Sequence, residues 1–393
     1  MHISRRAKET APFYVMEVAD QATALEEQGI DIIHLNVGEP DFGAAPAVLE
    51  ALPRIAHSSL AYTGALGIPE LRQAIAGFYR TRHGVGIAPE RIVVTSGATG
   101  ALLLLAAALV DPGDEVLLAD PTYPCNVQIL AGFGADVRLV RADAAHLYQL
   151  DSALVRDNWG ARTKGAVVAS PANPTGSCIP FDELAPLTRT VAERDGWLLF
   201  DEIYLDLTEG DAPGGSRPSV LSVDPQALVV NSFSKYFGMT GWRLGWAVVP
   251  DDLVDPIERL SQNFVICPSV VAQKAALECF EPETLAIFDA RRDEFRKRRE
   301  IVLAGLEEMG LPVPVKPDGA FYAYFDVSGT GLGAAEFCSR ALHEAHVALT
   351  PGKDFGPATA DTHVRFSYSV GQDQLREALV RLGGFVKSLC PGC

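Results

Sequence analysis

Short apolar runs rich in β-branched residues alternate with helical patterns from about residue 90 to residue 250, and this alternation most restricts the possible fold. Helical patterns such as Gly100–Val110 and Pro180–Asp195 lie between most of the runs. Continuous apolar strands separated by helices are typical of a parallel sheet covered on both faces. The sequence therefore predicts an α/β fold with a mostly parallel seven-stranded sheet. The predicted strands are Ile92–Thr95, Glu115–Ala119, Val137–Val140, Ala166–Ser170, Trp197–Asp201, Leu228–Ser232 and Gly245–Val249.

The patterns also divide the chain into a large and a small domain. Residues 46–282 contain the predicted sheet and form the large domain. A helical pattern rich in Arg and Glu follows from Glu283 to Met309, and beyond it strands and helices are fewer and mixed. Residues 283–393 therefore predict a smaller α+β domain. Residues 1–45 carry one helix and the turn-rich segment Asn36–Asp41, and we expect them to contribute to the small domain.

Charge and cysteine content exclude several classes of function. The chain has 33 Lys and Arg against 50 Asp and Glu, a net charge of −17. An acidic chain repels phosphates, so we expect no nucleic-acid or membrane partner. The N-terminus lacks a signal-peptide pattern, and seven scattered Cys indicate reduced thiols, so we predict a cytoplasmic protein without a metal site. The pair Cys390 and Cys393 is interpreted as part of a loose tail.

Polar motifs follow the predicted strands, and ligands of parallel sheets bind at that edge. Ser96–Gly100 follows the first strand and opens a helix, whose free N–H groups can bind an anion. Tyr123 follows the second strand, and Asn173 lies in a proline-fixed loop after the fourth. Each of these motifs alone is also typical of an ordinary turn.

The fifth and sixth strands end in ionisable residues. Asp201 emerges from an apolar strand and is followed by Tyr204, although such an Asp could also cap the next helix. Lys235 lies just beyond the sixth strand, where burial would lower the pKa of its amine, and Arg243 follows eight residues later.

Together these residues match the requirements of one cofactor, pyridoxal 5′-phosphate (PLP). A desolvated Lys can form a Schiff base, and an Asp can keep a pyridine nitrogen protonated, so that the ring accepts electrons. Asn and Tyr can bind the phenolate oxygen of the ring, and an aromatic side chain can stack on it. Ser, Thr, Arg and a helix N-terminus can bind the phosphate. The order of these motifs along successive strands is more specific than any single motif.

Longer motifs resemble those of the class I/II aminotransferases, which are PLP enzymes of fold type I. The resemblance runs from about residue 10 to residue 385 and is nearest to the subgroup of bacterial aspartate and aromatic aminotransferases. It rests on GEPDF (38–42), YTGALGIPELR (62–72), SPANPTG (170–176), DEIY (201–204), SFSKYFGMTGWRLGW (232–246), GAFYAY (319–324) and VRFSYS (364–369).

The resemblance implies a role for each matching residue. Lys235 would be the Schiff-base lysine and proton shuttle, Asp201 the partner of the pyridine nitrogen, and Tyr204 a third catalytic residue. Arg365 would bind the substrate α-carboxylate with Asn173 and the backbone of Gly38. Tyr62 would reach the phosphate of a neighbouring subunit, which implies a homodimer with shared active sites. The implied cofactor-binding residues are Gly97, Ala98, Thr99, Tyr123, Asn173, Asp201, Tyr204, Ser232, Ser234, Lys235, Arg243 and Tyr62.

The resemblance predicts amino transfer from an L-amino acid to a 2-oxo acid, 2-oxoglutarate or pyruvate, by a ping-pong mechanism. A β-lyase or synthase on the same fold remains the alternative, whereas a DNA-binding regulator would need a basic domain ahead of the core. Donor specificity stays open. Some relatives that accept acidic substrates carry a basic residue near the phosphate loop or receive one from the partner subunit, but here these places hold Thr99 and the segment Ser261–Phe264, which have no cation. Phe13, Tyr14 and Phe264 could line an apolar pocket or could belong to the core or an interface.

Overall fold

The structure, a computed structural model, describes residues 1–10, 12 and 14–389. Its helices are α1 (Arg5–Glu9), α2 (Tyr14–Glu26), α3 (Pro46–Glu50), α4 (Leu52–Ala56), α5 (Pro69–Phe78), α6 (Gly97–Leu109), α7 (Pro124–Gly132), α8 (Ser152–Asn158), α9 (Phe181–Ala192), α10 (Asp251–Phe264), α11 (Val270–Ala276), α12 (Pro282–Glu308), α13 (Ala334–Glu344) and α14 (Gln372–Leu389). Its strands are β1 (Ile33–His34), β2 (Ile92–Thr95), β3 (Glu115–Asp120), β4 (Asp136–Arg141), β5 (Thr163–Ala169), β6 (Trp197–Asp201), β7 (Leu228–Ser232), β8 (Gly245–Val248), β9 (Tyr322–Asp326), β10 (Val347–Ala348), β11 (Thr350–Pro351) and β12 (His363–Ser367).

The large sheet of the described chain has seven strands in the order β2-β8-β7-β6-β5-β3-β4. Strands β3 to β7 pair in parallel, whereas β8 runs antiparallel to both of its neighbours. The predicted mostly parallel sheet is therefore confirmed. The fourth predicted strand differs in its bounds, because it begins at Thr163 and ends at Ala169, which leaves Ser170 in the loop that follows.

Helices cover both faces of this sheet because its central strands are apolar on both sides. Along β7, Val229 packs into one hydrophobic cluster, while Leu228 and Val230 pack into the other. The same alternation along β2 places Val94 in the first cluster and Val93 in the second. Side chains that alternate between two dry faces fix the strand register, since a slip of one residue would exchange the faces. The carboxyl ends of the parallel strands consequently meet at one rigid edge.

Smaller sheets form from the ends of the chain. Strands β11, β12 and β9 make an antiparallel sheet, and β1 pairs in parallel with β10, which joins the N-terminal segment to the C-terminal region. Helix α12 bridges this region to the rest of the chain, where Asp289 binds Arg82 through both carboxylate oxygens. The assignment of residues 1–45 to the small domain, like the domain boundaries, remains a prediction. No helix in residues 1–10, 12 and 14–389 has the length and apolar character that a membrane crossing requires.

Candidate active site

A cavity of about 280 Å³ opens at the carboxyl ends of the parallel strands. It brings together residues from every strand-end motif and from the small sheets. Two of the predicted site residues do not line it, Gly97 and Tyr62. The predicted residues that do line it are Gly38, Ala98, Thr99, Tyr123, Asn173, Asp201, Tyr204, Ser232, Ser234, Lys235, Arg243 and Arg365.

One end of the cavity is built to bind an anion. Helix α6 begins there at Gly97, and its first N–H groups have no partner within the helix. A Cβ on Gly97 would lie 2.8 Å from Nη2 of Arg243, and Gly97 has a φ of +75°, so glycine permits both the turn and the close approach of the guanidinium. The Ser232 hydroxyl accepts a hydrogen bond from the Ser234 N–H and lies 2.9 Å from the Ser234 hydroxyl.

Lys235 lies beyond the end of β7 with its amine inside the cavity. The amine donates a 2.6 Å hydrogen bond to the carbonyl of Gly38. Burial lowers the pKa of Lys235 to about 8, and the guanidinium groups of Arg365 and Arg243 act in the same direction. An amine with this pKa has a substantial neutral fraction near pH 7, so it can act as a nucleophile and as a base.

Asp201 ends β6 and is fully buried beside the same cavity. Its Oδ1 accepts a hydrogen bond from the N–H of Ile203 at 3.1 Å. Burial raises the pKa of Asp201 to about 6, and Lys235 only partly opposes this shift. Among the described residues, no cation lies within ion-pair distance of Asp201. This carboxylate can therefore stabilise a cationic nitrogen brought into the cavity.

Two tyrosines form a hydroxyl pair on one side of the cavity. The hydroxyls of Tyr204 and Tyr322 lie 2.9 Å apart, and burial raises the pKa of both phenols, that of Tyr204 well above its ordinary value. Both phenols therefore stay protonated and can donate hydrogen bonds. Tyr123 also lines the cavity, and burial likewise raises the pKa of its hydroxyl. Sequence reasoning gave no role to Tyr322, although the motif at residues 319–324 contains it.

Arg365 comes from β12 and reaches the cavity from the small sheet. Its Nη1 donates to Oδ1 of Asn173 at 2.9 Å, and its Nη2 donates to the carbonyl of Asn36 and to the hydroxyl of Thr350. The guanidinium also lies 4.7 Å from the ring centroid of Tyr322. Within the described chain, no carboxylate lies within ion-pair distance of it, and its buried Nε has no hydrogen-bond partner. This geometry suits the binding of an external carboxylate.

The structure bears on the aromatic residues whose place the sequence left open. Tyr14 and Phe264 do not line the cavity, which instead receives Val15 and Met16 from the first turn of α2. Tyr62 is 81% exposed and lies outside the cavity of its own chain, so its predicted contact with a neighbouring subunit remains a prediction. Phe13 and the pair Cys390 and Cys393 lie outside the described residues.

The sequence of this chain matches a known family. Residues 30–382 match the family model for aminotransferases of class I and II. The chain belongs to the class I and II aminotransferases. This match covers most of the chain and confirms the resemblance noted in the motifs.

Similar proteins of known name are also aminotransferases. The chain is 39% identical over 378 residues to a valine–pyruvate aminotransferase of Mycobacterium tuberculosis, covering 96% of this chain and 97% of that protein. It is 37% identical over 388 residues to an aspartate/prephenate aminotransferase of Thermus thermophilus, covering 96% and 97%. A crystal structure of an aminotransferase from Mycobacterium tuberculosis superposes with a TM-score of 0.94 at 38% identity, covering 99% of this chain and 100% of that one. Aminotransferase activity is thus supported, and the lyase or synthase alternative is not favoured.

The side chains of this aminotransferase fit the family's cofactor. The anion-binding end suits a phosphate, the buried Asp201 suits a protonated pyridine nitrogen, and the Lys235 amine of lowered pKa suits an aldehyde. The hydroxyl of Tyr204 and the amide of Asn173 are placed in the same cavity, where they can bind a phenolate oxygen. The cavity thus offers a phosphate, a pyridine nitrogen, a phenolate oxygen and an aldehyde each a side chain that can bind it.

Proposed function

We propose that this aminotransferase binds PLP at Lys235 and transfers the amino group of an L-amino acid to a 2-oxo acid by a ping-pong mechanism. The observation that carries the proposal is the meeting of Lys235, Asp201 and Arg365 in one cavity. Asp201 and Arg365 are buried and Lys235 is partly buried, and none of the three has an ion-pair partner among the described residues. PLP supplies an aldehyde that condenses with amines and a pyridine ring that accepts the electrons released at Cα.

The residues at the anion-binding end would hold the cofactor. The backbone of Gly97, Ala98 and Thr99 would bind its phosphate together with Arg243 and the hydroxyls of Ser232 and Ser234. Asp201 would hold a proton on the pyridine nitrogen, while Tyr204 and Asn173 would orient the ring through its oxygen. Tyr123 would stack on the ring face and help exclude water.

Lys235 would move the proton that the reaction requires. Its lowered pKa allows the amine to accept a proton from Cα of the substrate and to return it on the other side of the transferred nitrogen. The hydrogen bond to the Gly38 carbonyl restrains the amine within the cavity. A single group that both removes and returns the proton is consistent with a ping-pong reaction at one site.

Arg365 would bind the α-carboxylate of both substrates. Its planar guanidinium can make two parallel hydrogen bonds to a carboxylate, and Asn173 fixes its orientation. The amino donor and the 2-oxo acceptor, which is 2-oxoglutarate or pyruvate, would bind in turn to the same arginine.

The proposal includes a cytoplasmic homodimer that shares its active sites. Apolar side chains stay exposed on two neighbouring segments, including Leu60, Tyr62 and Phe264. The segments are joined by a hydrogen bond from the Ser261 hydroxyl to the carbonyl of Ala65, so the exposed side chains belong to one surface. A second copy that covered this surface would bring Tyr62 toward the neighbouring phosphate.

Absorbance spectroscopy of the purified protein tests the proposal. Protein incubated with PLP should show a band in the visible or near-ultraviolet, which Lys235→Ala should abolish. Addition of one amino acid without an oxo acid should remove the band and release one equivalent of the matching 2-oxo acid. Absence of the band after addition of PLP would contradict the proposal, and release of ammonia with a persistent band would indicate elimination instead.

A further inference from the structure

We infer that the preferred donors are amino acids with short, uncharged aliphatic side chains and that pyruvate is preferred to 2-oxoglutarate as the acceptor. The inference rests on the proposed function, because it concerns the same cavity. The selecting feature is an apolar wall, defined as Val15, Met16 and Ala19 of α2 together with Val37, all of which line the cavity.

Hydrogen bonds fix the apolar wall beside the carboxylate-binding arginine. The carbonyl of Asn36 accepts from Nη2 of Arg365, while the Asn36 side chain donates to the carbonyl of Val15 at 3.4 Å. At the start of α2, the N–H of Tyr14 donates to Oδ1 of Asp354 at 3.1 Å. The first turn of α2 is therefore held at a short distance from the guanidinium by residues of both ends of the chain.

The apolar wall lies where the side chain of a bound substrate would extend, once its carboxylate and its amino group are placed. The α-carboxylate would lie at Arg365, and the amino group would lie at the cofactor carried by Lys235. Val37 directly precedes Gly38, whose carbonyl binds the Lys235 amine, so the wall reaches from the arginine to the lysine. A substrate side chain placed between these two points would meet the wall at Val15 and Val37, which line the cavity there.

The charges around the cavity disfavour a second substrate carboxylate. Among the described residues of this chain, the cationic ones that line it are Lys235, Arg243 and Arg365, and each already has a role in the proposed function. The segment Ser261–Phe264, which a partner subunit would contribute, carries no cation either. Lys353 lies on the other side of the first turn of α2, where its amine is 4.0 Å from the ring centroid of Tyr14 and lines a separate cavity. The buried Asp354, whose Oδ2 has no hydrogen-bond partner, adds negative charge nearby.

This arrangement favours donors with aliphatic side chains over donors with acidic ones. An acidic side chain against the apolar wall would gain no cation, whereas an aliphatic side chain would gain apolar contact with Val15 and Ala19, the less exposed members of the wall. The cofactor has to share this cavity with the substrate, which leaves less room for an aromatic side chain than for a short one.

Single-turnover measurements with the PLP-loaded enzyme test the inference. Valine, alanine, leucine, phenylalanine, aspartate and glutamate are added separately, and the loss of the cofactor band is followed. We expect kcat/KM for valine or alanine to exceed that for aspartate and glutamate at least about tenfold. A faster reaction with an acidic or aromatic donor than with valine or alanine would overturn this inference but not the proposed function. Failure of all six donors would instead contradict the proposed function, and the inference with it.

Two variants of α2 test the assignment of the apolar wall. Met16→Lys places a cation at the wall and should raise the preference for aspartate over valine about fivefold, the range of an exposed ion pair. Thr23→Lys is the matched control, because Thr23 is exposed on the same helix two turns away and lies outside the cavity lining. An equal effect of the two substitutions would show a general charge effect and overturn the assignment.

The variant Val15→Ala tests the wall through the difference between two donors. A purely structural role of Val15 would not produce such a difference. Removal of two methyl groups should lower kcat/KM for valine about tenfold while that for alanine stays nearly constant. The hydrogen bond from the Asn36 side chain to the carbonyl of residue 15 survives this substitution, so the position of α2 should be kept. An equal loss for every donor would contradict the role of Val15 in selection.

Discussion

Replacement of Asp201 by asparagine is expected to stabilise the protein when no cofactor is bound, although it should impair catalysis. Asp201 is fully buried, and burial raises its pKa to about 6 from an ordinary value of 3.8. The folded protein therefore bears an energetic cost for keeping this carboxylate ionised at neutral pH. Asp201→Asn would remove the charge while the side-chain oxygen of the new amide keeps the hydrogen bond from Ile203.

The magnitude follows from the rise in pKa. A rise of one in a pKa corresponds to about 1.4 kcal/mol. The rise of about two at Asp201 therefore costs the folded protein about 3 kcal/mol at pH 7. The new amide group lacks a partner for its N–H groups, which costs about 1 kcal/mol, so a net gain of about 2 kcal/mol remains. At about 2 cal/mol/K per residue for a chain of this length, the gain raises Tm by about 2 to 3 °C.

The stabilisation should depend on pH in a defined direction. Because the pKa of Asp201 is higher in the folded than in the unfolded state, folding is penalised only where the unfolded carboxyl has lost its proton. The penalty is absent below about pH 4, grows between about pH 4 and pH 6, and is complete above about pH 6. The Tm difference between the variant and the parent protein should therefore be largest above this range and should vanish near its lower end.

Differential scanning calorimetry of the two proteins, both freed of PLP, measures this difference. Asp289→Asn is the matched control with the opposite sign, because hydrogen bonds from Arg82 and Tyr236 lower the pKa of Asp289. This substitution should lower Tm at neutral pH. An unchanged or lower Tm for Asp201→Asn, or a gain that does not vary with pH, would refute the reasoning.

Three further predictions concern the proposed mechanism. Lys235→Ala should lower the rate of amino transfer roughly 10⁴-fold, measured by release of the 2-oxo acid, and substantial residual activity would exclude its role as proton carrier. Arg365→Lys should raise KM for the donor roughly 10- to 100-fold while the PLP band is kept, and an unchanged KM would argue against carboxylate binding there. In a double-mutant cycle, Tyr204→Phe and Tyr322→Phe should show a coupling of about 1 kcal/mol in PLP affinity, whereas additive losses would disprove a functional hydroxyl pair.

Sequence patterns predicted the central sheet well because its strands are sharply bounded apolar runs. The observed strands β2, β6 and β7 have the predicted bounds Ile92–Thr95, Trp197–Asp201 and Leu228–Ser232. Strand direction was not predictable in this way, since the antiparallel β8 is as completely buried as its neighbours β2 and β7. The hydrophobic pattern of such a strand carries no information about its direction.

The candidate site was predictable where residues follow the strands of the large sheet. Asp201 and Lys235 meet because adjacent parallel strands end at the same edge. Asn36 and Val15 were missed because their position depends on the packing of small-sheet segments against that edge. The sequence left open whether Tyr14 lines the pocket. Successive helix residues are about 100° apart, so Val15 lines the cavity while Tyr14 turns toward Lys353.

The directions of the pKa shifts of Asp201 and Lys235 distinguish this site from a structural ion pair. In an ion pair that stabilises the fold, the pKa of the carboxyl falls and that of the amine rises, as each charge supports the other. Here the pKa of Asp201 rises to about 6 and that of Lys235 falls to about 8, so burial outweighs their mutual attraction. Both charges destabilise the folded chain, and the dry sheet core must offset this cost. A ligand that supplies a cation to Asp201 and a covalent partner to Lys235 relieves both penalties at once, which links cofactor binding directly to stability.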